Sequence, residues 1–327
     1  MSKNIIVYTR ISNKVLKRLE ENYNVTFFKN YEYIDDVHFV EKLRNADGII
    51  GLELKVTKQL LDLAPNLKIV SNISVGYDNL DLEELTNRSI LATNTPGVLT
   101  DTTADAIFGI LLATARRITE LDQFVKQGEW QEYLQEGHFG VDVHHKTIGI
   151  IGMGEIGEAI AKRCHLGFNM NILYHNRTRK RDAEKKYKAT YCELDELLIH
   201  SDFVCLMVPL SPETEKMIGE REFKLMKNDC IFINGSRGKN IDEHALYKAL
   251  INKEIAAAGL DVFEEEPVDI ENPLLKLNNV LTLPHIGSAT IENQLRMSEL
   301  AADNLAAGLR GECPPNLINK ELIPRMF

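Results

Sequence analysis

Residues 146–157, KTIGIIGMGEIG, decide the fold of this chain. The first half of the stretch, residues 147–151, is a short apolar run typical of a buried strand, and an Ala/Ile-rich helical segment follows the glycines. A strand, a GxGxxG turn and a helix in this order are what a dinucleotide-binding fold requires. Gly152 allows a tight turn, Gly154 lets the backbone approach a pyrophosphate, and Gly157 lets helix and strand pack closely. We therefore predict that the N-terminus of this helix faces the phosphates of a dinucleotide.

Length, composition and charge narrow the class of protein. At 327 residues the chain is long enough for two domains, and 44% hydrophobic with 26% charged residues is typical of a soluble globular protein. The formal net charge of −10 argues against nucleic acid or an anionic membrane as the main partner, because both reward clustered Lys and Arg. No apolar run approaches the ~20 residues of a membrane span, and the first residues lack the layout of a signal peptide. We therefore expect a cytoplasmic protein.

The cysteines and histidines do not predict a metal site. Five cysteines are scattered without CxxC spacing, which predicts small core residues in a reducing compartment. His144 and His145 are adjacent, but neighbours on an extended chain point to opposite sides and no Cys or carboxylate cluster accompanies them. The cysteines are Cys164, Cys192, Cys205, Cys230 and Cys313.

The first 101 residues alternate short apolar runs with amphipathic stretches, which indicates a parallel sheet with helical crossovers. No GxGxxG motif occurs there, so we expect this lobe to present something other than a dinucleotide. Loops at the carboxyl ends of such strands bind ligands, and the turn at residues 74–79 follows the fourth strand. Its glycine would expose backbone N–H groups to an anion, although the same residues also fit an ordinary turn. The role of the loop at residues 52–55 stays open.

The middle of the chain predicts a helix, an arm and a second sheet. Residues 102–120 are apolar around most of a helical circumference, which predicts a buried helix that links the two lobes. A further amphipathic stretch ends at residues 127–130, and the chain from there to Val143 has no clear period, so we expect an extended arm within residues 120–145. Nearly unbroken apolar strands then fit a doubly wound sheet covered on both faces. These strands are residues 170–175, 202–209, 229–234, 255–262 and 280–283.

A basic run lies where the choice of cofactor is decided. An NAD-selective site places an acid about 20 residues past the glycine loop, to bind the ribose hydroxyls and repel a 2′-phosphate. That position is Arg177, within HNRTRKR at residues 175–181, and no carboxylate appears before Asp182. In a chain of negative net charge, the run favours 2′-phosphate recognition over a solvated surface. We predict contacts to the phosphate from Asn176, Arg177 and Thr178, with longer-range attraction from Arg179 or Lys180.

Three further segments lie at strand ends of the second lobe. They are NGSRG at residues 234–238, GLDVFEEEP at residues 259–267 and PHIGSAT at residues 284–290. With the glycine loop, their order and spacing resemble the D-isomer-specific 2-hydroxyacid dehydrogenase family over nearly the whole chain. The resemblance is closest to the bacterial glyoxylate/hydroxypyruvate reductases that also act on 2-ketogluconate. SNISVGYDN, DVHHKTIGIIGMG, GFNMNILY and SDFVCLMVPL are similar to that subgroup.

The resemblance implies a catalytic set of Arg237, Glu266 and His285. Reduction of a 2-oxo acid develops negative charge on the carbonyl oxygen, so an acid must supply a proton while a cation holds the carboxylate. Histidine suits the first task and the planar fork of arginine the second, and a neighbouring Glu would raise the histidine pKa. Val75 and Gly76 would offer backbone N–H groups to the substrate carboxylate.

The resemblance also implies the architecture and the cofactor. We expect two doubly wound parallel-sheet α/β lobes with a cleft between them. A flavodoxin-like substrate domain would comprise residues 1–101 plus 290–327, and a Rossmann NAD(P)-binding domain residues 102–289. NADP is the preferred cofactor and NAD a possible one, with no metal. The implied cofactor-binding residues are Thr103, Gly152, Gly154, Glu155, Ile156, Gly157, Asn176, Arg177, Thr178, Val208, Pro209, Thr214, Gly235, Ser236, Asp261 and Gly287.

The expected function is NADPH-dependent reduction of glyoxylate, hydroxypyruvate or 2-ketogluconate to the D-2-hydroxy acid, by a homodimer formed through the cofactor-domain helix and the arm. An NAD-linked 3-phosphoglycerate dehydrogenase would need a cation for the substrate phosphate, for which Lys55 is the obvious candidate. A non-catalytic nucleotide-sensing corepressor on the same fold is disfavoured by the intact Arg, Glu and His set. Glu264 and Glu265 are interpreted as surface residues, because the catalytic Glu immediately precedes Pro267.

Overall fold

The computed structural model describes residues 2–29 and 36–326. The chain divides into two compact units, Met1–Leu99 with Ala289–Phe327, and Thr100–Ser288. The first unit begins with β1 (Asn4–Tyr8), α1 (Asn13–Asn22), β2 (Asn24–Phe28), α2 (Val37–Arg44), β3 (Gly48–Gly51), α3 (Lys58–Asp62), β4 (Ile69–Asn72), α4 (Leu82–Asn87) and β5 (Leu91–Thr93).

The second unit contains α5 (Thr100–Ala115), α6 (Ile118–Lys126), β6 (Thr147–Ile151), α7 (Glu155–Phe168), β7 (Asn171–His175), α8 (Arg181–Tyr187), β8 (Thr190–Tyr191), α9 (Leu194–His200), β9 (Phe203–Leu206), α10 (Glu220–Leu225), β10 (Ile231–Asn234), α11 (Glu243–Ile251), β11 (Ala257–Leu260) and β12 (Val280–Thr282). The chain then returns to the first unit with α12 (Ile291–Arg310) and α13 (Ile323–Met326). Short 3-10 turns occupy Glu136–His138, Gly238–Asn240, Pro273–Lys276 and Lys320–Leu322.

The sheet of the first unit has the strand order β2-β1-β3-β4-β5, and all pairs are parallel. This order is flavodoxin-like, as the family resemblance implied for this lobe. Helix α12 packs against the sheet, where Ser71 Oγ donates a hydrogen bond of 2.7 Å to the Ala301 carbonyl. A Cβ on Gly308 of this helix would lie 2.6 Å from the Ile69 side chain, so the glycine permits the close approach.

The sheet of the second unit has the order β12-β11-β10-β9-β6-β7-β8, again parallel throughout. The order reverses between β6 and β9, as in a Rossmann fold. Along β9, Phe203 and Cys205 join the apolar cluster on one face, and Val204 and Leu206 join the cluster on the other. The sheet is therefore covered on both faces, which confirms the prediction made from its unbroken apolar strands.

The helix predicted over residues 102–120 is wrong in its extent. Helix α5 ends at Ala115, and Arg117 has a left-handed φ of 54°, so α6 starts in a new direction. The Arg117 guanidinium donates to both Glu120 carboxylate oxygens, at 2.8 and 2.7 Å. Helix α6 extends to Lys126 and corresponds to the amphipathic stretch expected to end at residues 127–130, and the chain expected to form an arm follows it. Apolar periodicity did not show the break because both helices carry apolar residues.

Three of the five cysteines lie in the core as predicted, and two do not. Cys164, Cys205 and Cys230 are buried, and burial raises the pKa of the Cys164 thiol to about 12. Cys192 is half-buried, and Cys313 is exposed near the end of the chain. In the part of the chain that the structure describes, no helix combines the length and apolar character that crossing a membrane requires.

Candidate active site

The three glycines of the loop at the carboxyl end of β6 have different structural roles. Gly152 has a φ of +101°, and a Cβ there would lie 2.5 Å from the Met207 carbonyl oxygen. A Cβ on Gly157 would overlap the carbonyl oxygen of Gly152, whereas one on Gly154 would meet no atom within 4 Å. Gly154 is the N-cap residue of α7, and no side chain caps that helix. The N-terminus of α7 is therefore open for a pyrophosphate.

Residues beside the glycines connect the turn to neighbouring elements. Glu155 Oε2 accepts a hydrogen bond of 3.2 Å from Thr100 Oγ1, which ties the start of α7 to the start of α5. Ile156 is half-buried against the core. The loop after β9 lies beside the turn, since Val208 Cγ1 is 2.9 Å from the position that a Cβ on Gly152 would take.

Two loops that follow β9 and β10 are joined through a buried asparagine. Asn240 Nδ2 donates a hydrogen bond of 3.0 Å to the Thr214 carbonyl, and Thr214 Oγ1 donates one of 2.7 Å to the Pro209 carbonyl. Ser236 Oγ lies 3.2 Å from Asn240 Oδ1, and Ser236 is buried. A Cβ on Gly235 would overlap the side chain of Ile107 on α5. These four predicted cofactor positions, Pro209, Thr214, Gly235 and Ser236, are thus parts of one connected edge.

The basic loop after β7 is held to the glycine loop by Asn176. The Asn176 amide oxygen accepts a hydrogen bond of 3.1 Å from the Met153 N–H, and its Nδ2 donates one of 2.7 Å to the Thr178 carbonyl. Arg177 and Thr178 follow it and are exposed. Asn176 therefore shapes the loop with its own side chain.

A buried tyrosine fixes the far end of the same loop. Tyr174 OH accepts a hydrogen bond of 2.7 Å from the Lys180 N–H and donates one of 2.7 Å to the Glu184 carboxylate. Arg179 also binds Glu184, with its Nε 2.6 Å from Oε1. Because Glu184 offsets the charge of Arg179, the long-range attraction expected from that arginine is weakened. Arg177 forms no salt bridge among the described residues, but a hydrogen bond from Ser211 and, as a smaller effect, the charge of Arg177 lower the pKa of Glu213.

Thr103, Asp261 and Gly287 are brought together beside α5. The Asp261 carboxylate accepts hydrogen bonds from the Ile286 N–H at 2.8 Å and the Gly287 N–H at 2.9 Å. Burial raises the pKa of Asp261, against the effect of these two donors. A Cβ on Gly287 would lie 3.2 Å from Thr103 Cγ2, and the buried Thr103 Oγ1 has no hydrogen-bond partner among the described residues. Such an orphaned hydroxyl fits a position that a bound cofactor would satisfy.

His285 and Glu266 form a hydrogen-bonded pair at the carboxyl edge of the sheet. His285 Nδ1 lies 2.8 Å from Glu266 Oε2, and Glu266 Oε1 accepts a hydrogen bond of 3.0 Å from the Phe263 N–H. His285 has a left-handed φ of 52°, and its N–H donates to the Asp261 carbonyl at 2.9 Å. Strained backbone of this kind is concentrated at functional sites. The peptide bond between Glu266 and Pro267 is cis.

The pair shifts the pKa of both partners. The hydrogen bond that His285 donates to Glu266 raises the pKa of the histidine above its ordinary 6.5, outweighing burial and the charge of Arg237. Burial alone would raise the pKa of Glu266, but the hydrogen bond with His285 and the nearby positive charges hold it below its ordinary value. The pair therefore favours its charged, hydrogen-bonded form, and His285 holds its proton to a higher pH than a free imidazole does.

Arg237 lies close enough to act on both members of the pair, since its charge lowers the pKa of each. Its loop is shaped by Asn234, the last residue of β10, which is fully buried. Asn234 Nδ2 donates a hydrogen bond of 3.1 Å to the Arg237 carbonyl, and its Oδ1 accepts one of 2.7 Å from Ser236 Oγ. The structure thus brings Arg237, Glu266 and His285 together, although the sequence separates them by up to 48 positions.

In the first unit, the turn after β4 has its carbonyl groups tied down. Asn94 Nδ2 donates to the Val75 carbonyl at 2.9 Å, and Asn72 Nδ2 donates to the Gly76 carbonyl at 2.8 Å. The N–H groups of Val75 and Gly76 donate to no acceptor among the described residues. This turn therefore offers free backbone donors of the kind that bind anions.

Sequence reasoning did not find the asparagines that shape these loops. Asn234 closes the apolar run IFIN, and Asn94 follows the short strand β5. A polar residue at the end of a buried strand must be hydrogen-bonded, which is the signal that marks such positions. Among the described residues, no group of three or more His, Cys, Asp or Glu side chains is placed to hold a metal ion.

The second unit is a Rossmann unit with an uncapped helix N-terminus at its glycine loop. It carries a His–Glu pair and an arginine at the carboxyl edge of its sheet, and this combination defines a nicotinamide-dependent oxidoreductase. Residues 108–287 match the family model described as "D-isomer specific 2-hydroxyacid dehydrogenase, NAD binding domain". The chain belongs to the D-isomer-specific 2-hydroxyacid dehydrogenase family. It is an enzyme that binds its nicotinamide dinucleotide in the second unit.

Similar proteins agree with this family. A glyoxylate/hydroxypyruvate reductase B of Escherichia fergusonii is 47% identical over 322 residues, 98% of this chain and 99% of that protein. The NADPH-dependent glyoxylate/hydroxypyruvate reductase of Sinorhizobium meliloti, solved with NADP and malonate, is 34% identical with a TM-score of 0.85, covering 98% of both chains. A protein of Thermus thermophilus has a TM-score of 0.89 at 36% identity, covering 96% of this chain and 99% of its own.

Proposed function

We propose that this enzyme reduces short 2-oxo acids, namely glyoxylate, hydroxypyruvate or 2-ketogluconate, to D-2-hydroxy acids with NADPH. The observation that carries the proposal is the 2.8 Å hydrogen bond between His285 and Glu266 beside the charge of Arg237. It is supported by relatives 46 to 47% identical over 98% of the chain, which are glyoxylate/hydroxypyruvate reductases.

His285 is proposed to be the general acid. Its Nδ1–H donates to Glu266, which leaves Nε2–H to protonate the substrate carbonyl oxygen. Glu266 raises the histidine pKa, so the acid keeps its proton to a higher pH than an unpaired histidine would. When bound, the nicotinamide supplies the hydride.

Arg237 is proposed to hold the substrate carboxylate and to polarise the carbonyl. A guanidinium stays charged at every working pH and offers a planar fork that matches a carboxylate. Asn234 holds the Arg237 carbonyl, and Arg237 Nη1 donates a hydrogen bond of 2.8 Å to the Ser236 carbonyl, so the side chain loses less freedom when substrate binds. The free N–H groups of Val75 and Gly76 in the first unit are proposed as further donors to substrate.

The cofactor is proposed to bind along the carboxyl edge of the second unit's sheet. The open N-terminus of α7 at Gly154 would receive the pyrophosphate, and Thr103 Oγ1 would gain the hydrogen-bond partner that it lacks. Asp261 would hold the neighbouring loop through the Gly287 N–H. Arg177 would bind the 2′-phosphate, because it is exposed just after β7 and forms no salt bridge within the part of the chain that the structure describes.

A panel of 2-oxo acids tests the proposed reaction. We expect NADPH oxidation with glyoxylate, hydroxypyruvate and 2-ketogluconate, and much less with the amide of glyoxylic acid, which offers no carboxylate to Arg237. Reduction of 3-phosphohydroxypyruvate in preference to the three would favour a phosphoglycerate dehydrogenase. No turnover of any 2-oxo acid by a protein that binds NADPH would refute the proposal and favour a nucleotide sensor.

The choice of cofactor has its own test. We expect kcat/KM to be at least about tenfold higher with NADPH than with NADH, since one lost ion-paired contact of about 1.4 kcal/mol is a factor of ten. The double variant Asn176→Asp with Arg177→Ala should remove or reverse this preference. An Asp at 176 still accepts the Met153 N–H, so the glycine loop keeps its anchor. Equal use of both cofactors by the wild type would show that the basic run is only surface.

The division of labour and the assembly are also proposals. Residues 1–101 with 290–327 are proposed to serve the substrate, and residues 102–289 the cofactor. A homodimer through the cofactor-domain helix and the arm is supported by exposed aromatic side chains there, with Trp130 60% and Tyr133 95% exposed. Light scattering should give twice the mass of one chain, and Tyr133→Lys should weaken the association. A monomer at all concentrations would contradict this assembly.

A further inference from the structure

The first residue of α11, Glu243, bridges both ends of a loop. The Glu264 N–H donates a hydrogen bond of 2.6 Å to Glu243 Oε1, and Asn272 Nδ2 donates one of 2.9 Å to Glu243 Oε2. Residues 264–272 form the loop between these contacts, and Glu266 lies within it. One carboxylate therefore attaches the loop that carries Glu266 to helix α11.

Helix α11 is a fixed base for this attachment. Its N-cap residue Asp242 accepts a hydrogen bond of 3.0 Å from the Ala245 N–H, and the Asp242 N–H donates to the Ile218 carbonyl at 3.0 Å. Leu246 and Leu250 on the same helix are buried in the core. Glu243 thus transmits the position of a packed helix to an exposed loop.

The other anchors of the loop are a surface ion pair, contacts at its two ends, and Val268 in its middle, which is partly buried against the core. An ion pair of 3.5 Å joins Lys216 to Glu264, and the lysine side chain is 54% exposed, so the pair contributes little. Phe263 is buried just before the loop, and its N–H binds Glu266 itself. The Asn272 side chain reaches Glu243 while its Oδ1 also accepts the Leu274 N–H at 3.0 Å. Glu243 is the contact that connects the two ends.

We propose that Glu243 is a positioning residue for the reaction, because it holds the 264–272 loop on α11 and so keeps Glu266 within hydrogen-bond distance of His285. This inference rests on the proposed role of His285 as the general acid. Glu243 acts through the loop, and the charged groups with the largest effects on the pKa of His285 are Glu266, Arg237 and Asp261, from the three loops around it.

A carboxylate is required at position 243 because both of its partners are donors. Glu243→Gln keeps one oxygen as an acceptor. Its Nε2 is a donor and would face either the Glu264 N–H or the Asn272 amide, which are also donors, so one of the two bonds is lost. Ala loses both bonds. The two substitutions therefore form a graded series.

The test is the pH profile of kcat/KM for NADPH-dependent reduction of glyoxylate by the full-length chain. When Glu266 is no longer held, His285 loses protons at lower pH, so the alkaline limb of the profile should move toward lower pH. We expect Glu243→Ala to lose about tenfold near pH 8 and to recover to within threefold of wild type near pH 5.5, because His285 without its partner releases its proton at a lower pH. Glu243→Gln should lie between the two.

The control is Glu265→Ala, which removes an exposed carboxylate from the same loop and should leave the profile unchanged. The alkaline midpoint of the double variant Glu243→Ala with Glu266→Gln should shift no further than that of Glu266→Gln alone, because both substitutions disrupt the same His285–Glu266 pair. NADPH binding, followed by its fluorescence, should be the same in all variants.

Two failures can be told apart. If Glu243→Gln and Glu243→Ala lower activity equally at every pH with the midpoint of wild type, Glu243 has only a structural role and the inference is overturned. If His285→Asn keeps the turnover of wild type, the proposed general acid is wrong and the fault lies with the proposed function. A Glu243→Ala chain that does not fold leaves the decision to Glu243→Gln, whose unchanged midpoint would equally overturn the inference.

Discussion

Replacing Gly238 by Ala tests how closely the loops that carry Arg237 and Glu266 must pack. A Cβ at this glycine would overlap the carbonyl group of Phe263 and the Glu264 nitrogen, and all of these are backbone atoms. Backbone cannot rotate away as a flexible side chain does, so one of the loops must move. The φ of Gly238 is not in the left-handed region, so the effect comes from this contact and not from backbone strain.

The size of the effect follows from the overlap. Restoring van der Waals separation requires a displacement of roughly 1 Å or more. Overpacking of this kind costs about 1–3 kcal/mol, and each kcal/mol lowers the Tm of a unit of this size by about 2–4 °C. Because the Phe263 N–H binds Glu266 and Glu266 binds His285, the displacement reaches the catalytic pair. A misplacement of about 1 Å in an active site costs on the order of 10²-fold in rate.

The assay is steady-state reduction of glyoxylate with NADPH, together with thermal unfolding followed by circular dichroism. The matched control is Gly167→Ala in α7, where a Cβ meets no atom within 4 Å. Since Ala is favoured over Gly in a helix by about 0.5–1 kcal/mol, the control should keep its kcat and lose no stability. If Gly238→Ala has the kcat and Tm of wild type, the two loops are not held in the close contact described here.

Three further predictions concern the catalytic set and the basic loop. His285→Asn should lower kcat by about 10²–10⁴-fold with NADPH binding retained, and turnover within threefold of wild type would contradict the assignment. The kcat/KM of wild type should fall as pH rises through the elevated pKa of His285, because the acid loses its proton. Glu266→Gln should move the midpoint of this fall to lower pH, and pH profiles with the same midpoint in both proteins would refute the coupling. Arg177→Ala should reduce the ratio of kcat/KM with NADPH to that with NADH by about tenfold, whereas Arg179→Ala, whose charge is offset by Glu184, should change it by less than twofold; equal losses would show that both arginines bind the phosphate.

Local patterns in the chain were enough to predict most of the architecture. The order of strand, glycine turn and helix at residues 147–168 depends on residues close in sequence, so the motif identified the Rossmann unit. The unbroken apolar runs predicted a sheet covered on both faces, which β9 displays. Strand ends were less accurate, because β9 covers Phe203–Leu206 where residues 202–209 had been expected. Apolar residues continue past the last ladder hydrogen bond, and composition alone does not show where pairing stops.

Apolar periodicity also missed features that depend on one residue's conformation or on weak patterns. The chain turns at Arg117 because the backbone of that residue has a left-handed conformation, which the pattern of apolar residues on either side does not show. The two-residue strand β8 and the short helix α10 were not predicted, because segments of two to six residues carry too few positions to show a period.

The candidate site shows the same division between motif and tertiary structure. The family motifs identified Arg237, Glu266 and His285. Taken singly, each is only a charged or aromatic residue after a strand, which does not by itself indicate catalysis. What the sequence could not supply are the contacts that hold them: Asn234 beneath the arginine loop, Gly238 against Phe263, and Glu243 across the Glu266 loop. These contacts join segments far apart in the chain, and they form only because parallel strands bring their carboxyl ends to one edge of the sheet. The types of residue at the site follow from local sequence, whereas their distances, and hence the pKa of the acid, follow from the packing of β10, β11 and β12.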